Sequence, residues 1–148
     1  MLDYQLCFAI YAANNSVIRA YQRELKKIKL TYPQYLVLLV LWEVKNISVK
    51  HLANRLKLDP GSLSPILKRM QVAGLVLKVR KKEDERSVVV KSTLKSDQLM
   101  PLVSDIQKRV SCQTGLTNEE YISLRKSTVE LLNNIDKNYK KENAFKIA

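Results

Sequence analysis

The chain has 148 residues, 46% of them hydrophobic, with only 3 Gly and 4 Pro; this suits one helix-rich globular domain and excludes a disordered or collagen-like chain. Lys and Arg number 26 against 14 Asp and Glu, a formal net charge of +12. An excess of that size points to a polyanionic partner, with nucleic acid ahead of an anionic membrane surface and of charge kept for solubility alone.

Residues 3 to about 29 read as one long helix. Leu6, Ile10, Val17, Leu25 and Ile28 recur near helical intervals, and Arg19, Arg23, Lys26 and Lys27 crowd its later half. Thr31 is the expected N-cap, and Pro33 an early-turn residue, of a second helix ending near Val44. Its apolar run, 35–42, lies between Gln34 and Glu43. That run suits a buried helix and is too short to span a membrane. The first five residues lack a basic region before an apolar stretch, so no signal peptide is expected and a cytosolic location is.

Residues 47–49 form a short extended stretch. Ser48 is placed to cap a helix over 49–57, and Asp59 another over about 60–73, which Gly74 stops. Two short helices with a tight connection make a helix-turn-helix pattern. Residues 76–80 and 87–92 then alternate apolar and polar around the polar stretch 81–86, a hairpin signal. A hairpin directly after a recognition helix is a wing. A further helix is expected over 95–114, with Leu99, Leu102, Val103, Ile106 and Val110 apolar. Gly115 breaks it, and 117–120 resembles a capping box for a last helix to about 139, with a frayed tail from Lys140.

The expected fold class is therefore mainly α with a small β wing. One domain would hold a winged helix-turn-helix lobe over about 30–94 and flanking helices over about 3–29 and 95–140. Those long flanking helices exceed what the small lobe can bury. They are expected to cover one another or a second copy, and a two-fold homodimer matches a palindromic double-stranded operator.

In the recognition helix Pro60, Gly61, Ser62, Ser64, Pro65, Lys68 and Arg69 fall on or near the outward face, while Leu63, Ile66, Leu67 and Met70 face inward. Small hydroxyl and backbone groups suit close approach to DNA. Arg69 fits guanine reading and Lys68 a phosphate. In the wing, Arg80 and Lys82 supply charge, and Asp84 pairing with Arg86 or Arg80 would aim Arg86 at the minor groove. An ordinary basic helix face and a charged hairpin tip are the plainer accounts. The single His51 and two distant cysteines give no metal-site spacing, and no cofactor is expected.

The run 56–70, with Leu56, Leu58-Asp59, Gly61, Leu63-Ser64-Pro65 and Lys68-Arg69-Met70, then Gly74-Leu75 and Asp84 and Arg86, resembles the MarR family of dimeric winged-helix regulators. Gln5-Leu6-Cys7-Phe8, Tyr11, Tyr21 and the run 31–35 resemble its organic-hydroperoxide-sensing, OhrR-like branch, with MgrA-, SarZ- and AbfR-like relatives. Taken alone, Cys7 reads as a small apolar residue. The resemblance implies instead a redox-sensing thiol, supported by Tyr21 and Tyr32, whose thiolate attacks a peroxide and becomes a sulfenic acid. It also implies a two-cysteine type in which Cys112 of one subunit bridges Cys7 of the other; a small cytosolic thiol is the other possible cap, and an incidental helical Cys112 the plain reading. The function so implied is a DNA-binding regulator, in repressor form, that releases its operator on oxidation by an organic hydroperoxide. The alternative is gating by a small phenolic ligand. A thiol peroxidase is disfavoured because it leaves the basic wing unused, and no enzyme activity is expected.

Overall fold

The computed structural model describes the backbone of residues 1–81 and 84–145 and the side chains of 1–79 and 88–139. A 3-10 turn (Leu2–Tyr4) leads into α1 (Leu6–Lys27), α2 (Tyr32–Val44), β1 (Asn46–Ser48), α3 (Val49–Leu56), α4 (Pro60–Val72), β2 (Val76–Lys81), β3 (Asp84–Ser92), α5 (Leu94–Asp97), α6 (Met100–Gln113) and α7 (Asn118–Phe145). The chain forms two compact units, Met1–Val110 and Ser111–Ala148. Among the described residues no helix is long and apolar enough to cross a membrane.

Local chemistry sets the boundaries. The Gln34 side chain accepts from the Thr31 amide at 2.9 Å, half of a capping box that starts α2. The Ser48 hydroxyl accepts from the His51 amide at 3.2 Å and starts α3. Lys45 and Lys57, at φ 60° and 55°, turn the chain out of α2 and α3, and Gly74 does the same after α4 at φ 70°, where glycine has no Cβ to strain.

The core is built around α2. Val37, Leu38 and Leu41 are fully buried against Leu25 of α1, Leu52 of α3, Leu63, Leu67 and Met70 of α4, Val76 and Val90 of the sheet, and Val103 and Ile106 of α6. The sheet is antiparallel in the order β1-β3-β2, with Ile47 opposite Val90 and Val79 opposite Val89. Three side-chain bonds tie α5 to the lobe. Thr93 Oγ1 donates to the Gly74 carbonyl at 2.8 Å, Lys95 Nζ to the Ala73 carbonyl at 2.7 Å, and Trp42 Nε1 to Asp97 Oδ1 at 3.1 Å. The C-terminal end of α4 is thereby held to the start of the segment leading into α6.

The structure departs from the expected boundaries in four places. The first helix does not begin at residue 3: Gln5 is extended, and a separate 3-10 turn lies before it. The helix expected over 95–114 is two, parted at residues 98–99, where Pro101 offers no amide to the Asp97 carbonyl and sits instead in the first turn of α6. β3 begins at Asp84 rather than 87, since pairing through the backbone is indifferent to the charged side chains there; the register shifts between Arg80 and Lys81. The last helix continues through Lys140 to Phe145, a stretch rich in good helix formers. The side chains of Arg80, Asp84 and Arg86, and Lys82 entirely, lie outside the described residues.

Leu67 is fully buried on the inward face of α4. Leu67→Ala should lower the unfolding free energy by about 2–5 kcal/mol through lost transfer and an unfilled cavity. Urea titration followed by circular dichroism measures this; a loss below about 1 kcal/mol would contradict the packing described.

Candidate nucleic-acid interface and thiol site

The outward face of α4 is as its 3.6-residue period requires. Pro60, Gly61, Ser62, Ser64, Pro65, Lys68 and Arg69 are exposed, Leu63, Leu67 and Met70 are fully buried, and Ile66 is half-buried. Asp59 caps the helix. It accepts the Ser62 amide at 2.9 Å on Oδ1 and the Ser62 hydroxyl on Oδ2. These bonds hold its carboxyl below the ordinary 3.8, the hydroxyl bond having the larger effect. Two consequences follow for the predicted contacts. The Ser62 amide and hydroxyl are already engaged by a carboxylate, so this helix start is not an open anion seat. Gly61 has a structural reason as well, since a Cβ there would lie 2.9 Å from Asp59 Oδ1. The outward side chains Ser64, Lys68 and Arg69 are then the best placed for a base edge or phosphate.

Cys7 is exposed on the first turn of α1, and Cys112 is exposed near the end of α6; both are free thiols. Tyr21 and Tyr32 come together, with ring centroids 5.4 Å apart. Tyr35 completes a three-ring cluster, stacked on Tyr21 at 5.3 Å and tilted against Tyr32 at 5.7 Å. Burial, and secondarily Tyr35, pushes the Tyr32 phenol above its ordinary 10.0, so it keeps its proton. Cys7 and Tyr21 share α1 but sit some four turns apart, about 20 Å along the axis. Within one chain the phenols and the thiol therefore do not meet.

Tyr35 and its partner Gln107, whose Nε2 donates to the Tyr35 hydroxyl at 2.8 Å, were not among the site residues expected from sequence. The signal for Tyr35 was present: three residues after Tyr32, it shares that residue's side of α2. Gln107 had none, because it lies 72 positions along the chain from its partner. A further feature is a cavity of about 520 Å³ lined on α1 by Ser16, Arg19, Gln22, Arg23 and Lys26. Three of these five are cations, with Arg19 donating to Ser16 Oγ at 2.9 Å. Glu24 pairs with Lys27 and Arg109, which hold its carboxyl below the usual range.

A winged helix with an outward basic face, long flanking helices and an exposed thiol on the first of them invites comparison with DNA-binding regulators. The family model for the transcriptional regulators SarA/Rot matches residues 19–102. The chain belongs to this family of MarR-like winged-helix transcriptional regulators. The match spans the recognition helix, the wing and the tyrosines but neither cysteine. The organic hydroperoxide resistance transcriptional regulator of Bacillus subtilis is 38% identical, over 88% of this chain and 89% of its own. The regulator MgrA of Staphylococcus aureus is 36% identical over 95% of this chain and 96% of its own. TtmR of Methylorubrum extorquens is 47% identical, but the chain spans only 61% of its length. Among solved structures, reduced AbfR bound to DNA is 30% identical, covers 91% of this chain and 92% of its own, and has a TM-score of 0.77. The organohalide-sensing regulator RdhR with 2,4-dichlorophenol bound is 28% identical, covers 90% and 81%, and has a TM-score of 0.81.

For this SarA/Rot-family chain the Asp59 cap makes a pH prediction. Its folded carboxyl ionises below its unfolded value, so the stabilisation is present above about pH 4 and is lost as pH falls through the folded value. Asn is also a good N-cap but does not titrate. Asp59→Asn should therefore lose less thermal stability than wild type between about pH 5 and pH 2. Equal losses in melting curves would mean that the cap carboxylate does not gain from ionisation.

Proposed function

We propose that this chain is a homodimeric, operator-binding transcriptional regulator, in repressor form, whose DNA binding is switched off when an organic hydroperoxide oxidises Cys7. The observation carrying the sensor reading is an exposed thiol on the first turn of α1 together with a compact cluster of phenols whose α1 member, Tyr21, lies about 20 Å along the same helix. An antiparallel pairing of two copies would bring Tyr21 and Tyr32 of one to Cys7 of the other. Apolar side chains left exposed on α1 (Leu6, Ile10, Val17) and α7 (Ile122, Leu124, Val129, Leu132) supply surface for that pairing. The identities with the hydroperoxide-resistance regulator and MgrA support the same reading.

The chemistry balances simply. The Cys7 thiolate, favoured by phenolic hydrogen bonds, attacks the terminal peroxide oxygen. The O–O bond breaks, sulfur is oxidised by two electrons to a sulfenic acid, and the alkoxide leaves and takes a proton as an alcohol. A second thiol then displaces hydroxide from the sulfenic sulfur, giving a disulfide and water once a proton is taken up. Cys112 of the other subunit is the proposed second thiol, and a small cellular thiol is its replacement. Oxidation must favour a dimer whose two α4 helices no longer match the operator spacing. Full release needs a state preference of about 5 kcal/mol, within reach of one covalent bridge.

On DNA, α4 enters the major groove with Ser64, Lys68 and Arg69 outward, Pro60 and Gly61 allowing close approach at its start, where Ser62 is engaged by Asp59. Arg80, Lys82, Asp84 and Arg86 of the wing are the proposed minor-groove contacts. A second reading, gating by a small phenolic or anionic ligand, is favoured by the basic cavity on α1 and by the dichlorophenol-bound relative.

Electrophoretic mobility shift with and without an organic hydroperoxide decides between the two. Cys7→Ser should keep operator binding and lose the peroxide response; release by peroxide as in wild type sinks the sensor reading, and release by a phenolic ligand alone establishes the second. On non-reducing gels Cys112→Ser should lose a disulfide-linked dimer band that wild type gains on oxidation; a persisting band rules out its bridge to Cys7.

Arg69→Ala should cost about 1–3 kcal/mol on the cognate operator and relax preference at one base position, whereas Lys68→Ala should weaken all duplexes alike and flatten the salt dependence. Equal effects of the two on specificity would mean that Arg69 reads no base.

A further inference from the structure

Tyr35 does more than fill the core. It is 3% exposed, yet it carries a hydroxyl that core filling does not need, and that hydroxyl accepts a 2.8 Å hydrogen bond from Gln107 on α6. A buried polar group is retained at a cost unless it is satisfied and used. Its ring touches both other members of the cluster, stacked on Tyr21 (5.3 Å, interplanar angle 24°) and tilted on Tyr32 (5.7 Å, 42°). Tyr21 comes from α1 and Tyr32 from the first turn of α2. Their relative placement therefore depends on the ring wedged against both, and that ring is pinned from a third element.

We propose that Tyr35, held by Gln107, is the positioning residue of the thiol site, fixing the two phenols that support the Cys7 thiolate of the other subunit. The proposal rests on the sensor reading given above. Hydrogen-bond donors stabilise a thiolate only when their geometry is set beforehand, since ordering them at the moment of use offsets the gain. Tyr32 is suited to that part because a phenol keeps its proton near neutrality and can donate it in a hydrogen bond. Tyr35→Phe keeps the ring and removes the held hydroxyl. Gln107→Leu keeps Tyr35 and removes the holder from a half-buried position, and serves if the first variant folds poorly.

The test is the pH profile of Cys7 alkylation in the reduced full-length protein, resolved from Cys112 by peptide mass spectrometry, with Tyr32→Phe as reference. Each variant should move the midpoint up by about half to one unit, slowing labelling near neutrality about three- to tenfold. The double variant should move it no further than the larger single, as expected of two groups acting as one. Reduced-state operator binding should stay within about twofold, which a general loss of structure would not allow. A wild-type midpoint in either folded variant, or shifts that simply add, overturns the proposal. If Tyr32→Phe also leaves the midpoint in place while Cys7→Ser still abolishes the peroxide response, the phenols do not support the thiolate and the positioning role falls with them. If Cys7→Ser keeps the response, the sensor reading itself fails.

Discussion

The burial of three side chains under the recognition helix is the constraint on which the rest depends. Leu63, Leu67 and Met70 are fully buried against α2 and the sheet, and that packing decides which way the polar face of α4 points. An eight-residue α3 and a thirteen-residue α4 are too short to be stable alone. They exist because α2 offers a surface that is apolar nearly all round. Close packing also makes the face rigid: a core at crystal-like density does not let one helix roll without moving its neighbours.

The same α2 carries the tyrosine cluster at its first turn and Trp42 near its last. From both ends it is bonded to the segment leading to and along α6, through Tyr35 with Gln107 and through Trp42 with Asp97. That segment in turn holds the C-terminal carbonyls of the recognition helix through Thr93 and Lys95. The phenol cluster and α4 are thus joined by short, directional contacts rather than by a long flexible loop. A displacement at one end has few places to be absorbed.

Charge is distributed to match. The acidic side chains that the structure pairs off are mostly at caps and helix sides: Asp59 on Ser62, Glu120 on Thr117, Glu43 on Arg55, and Glu24 on Lys27 and Arg109. Lys68 and Arg69 are left outward on α4 and Arg19 and Arg23 on the α1 cavity. With a net charge of +12, the field of the chain as a whole draws polyanions, while these local arrangements decide where one can seat.

The sequence alone determined the winged helix-turn-helix, the caps Thr31, Ser48, Asp59 and Thr117, and the outward and inward faces of α4, because those follow from short-range periodicity and from side chains bonding within three or four residues. It also placed Cys7 on a first helix and named Tyr21 and Tyr32 through family resemblance. It misjudged the break at Pro101 and the start of β3, where a missing amide and backbone pairing outweighed side-chain pattern. Only the tertiary structure decided that Cys7 is exposed, that Tyr35 joins Tyr21 and Tyr32 in one cluster, and that Gln107 holds it. Those facts depend on residues up to 72 positions apart meeting in space, and no local periodicity carries that information.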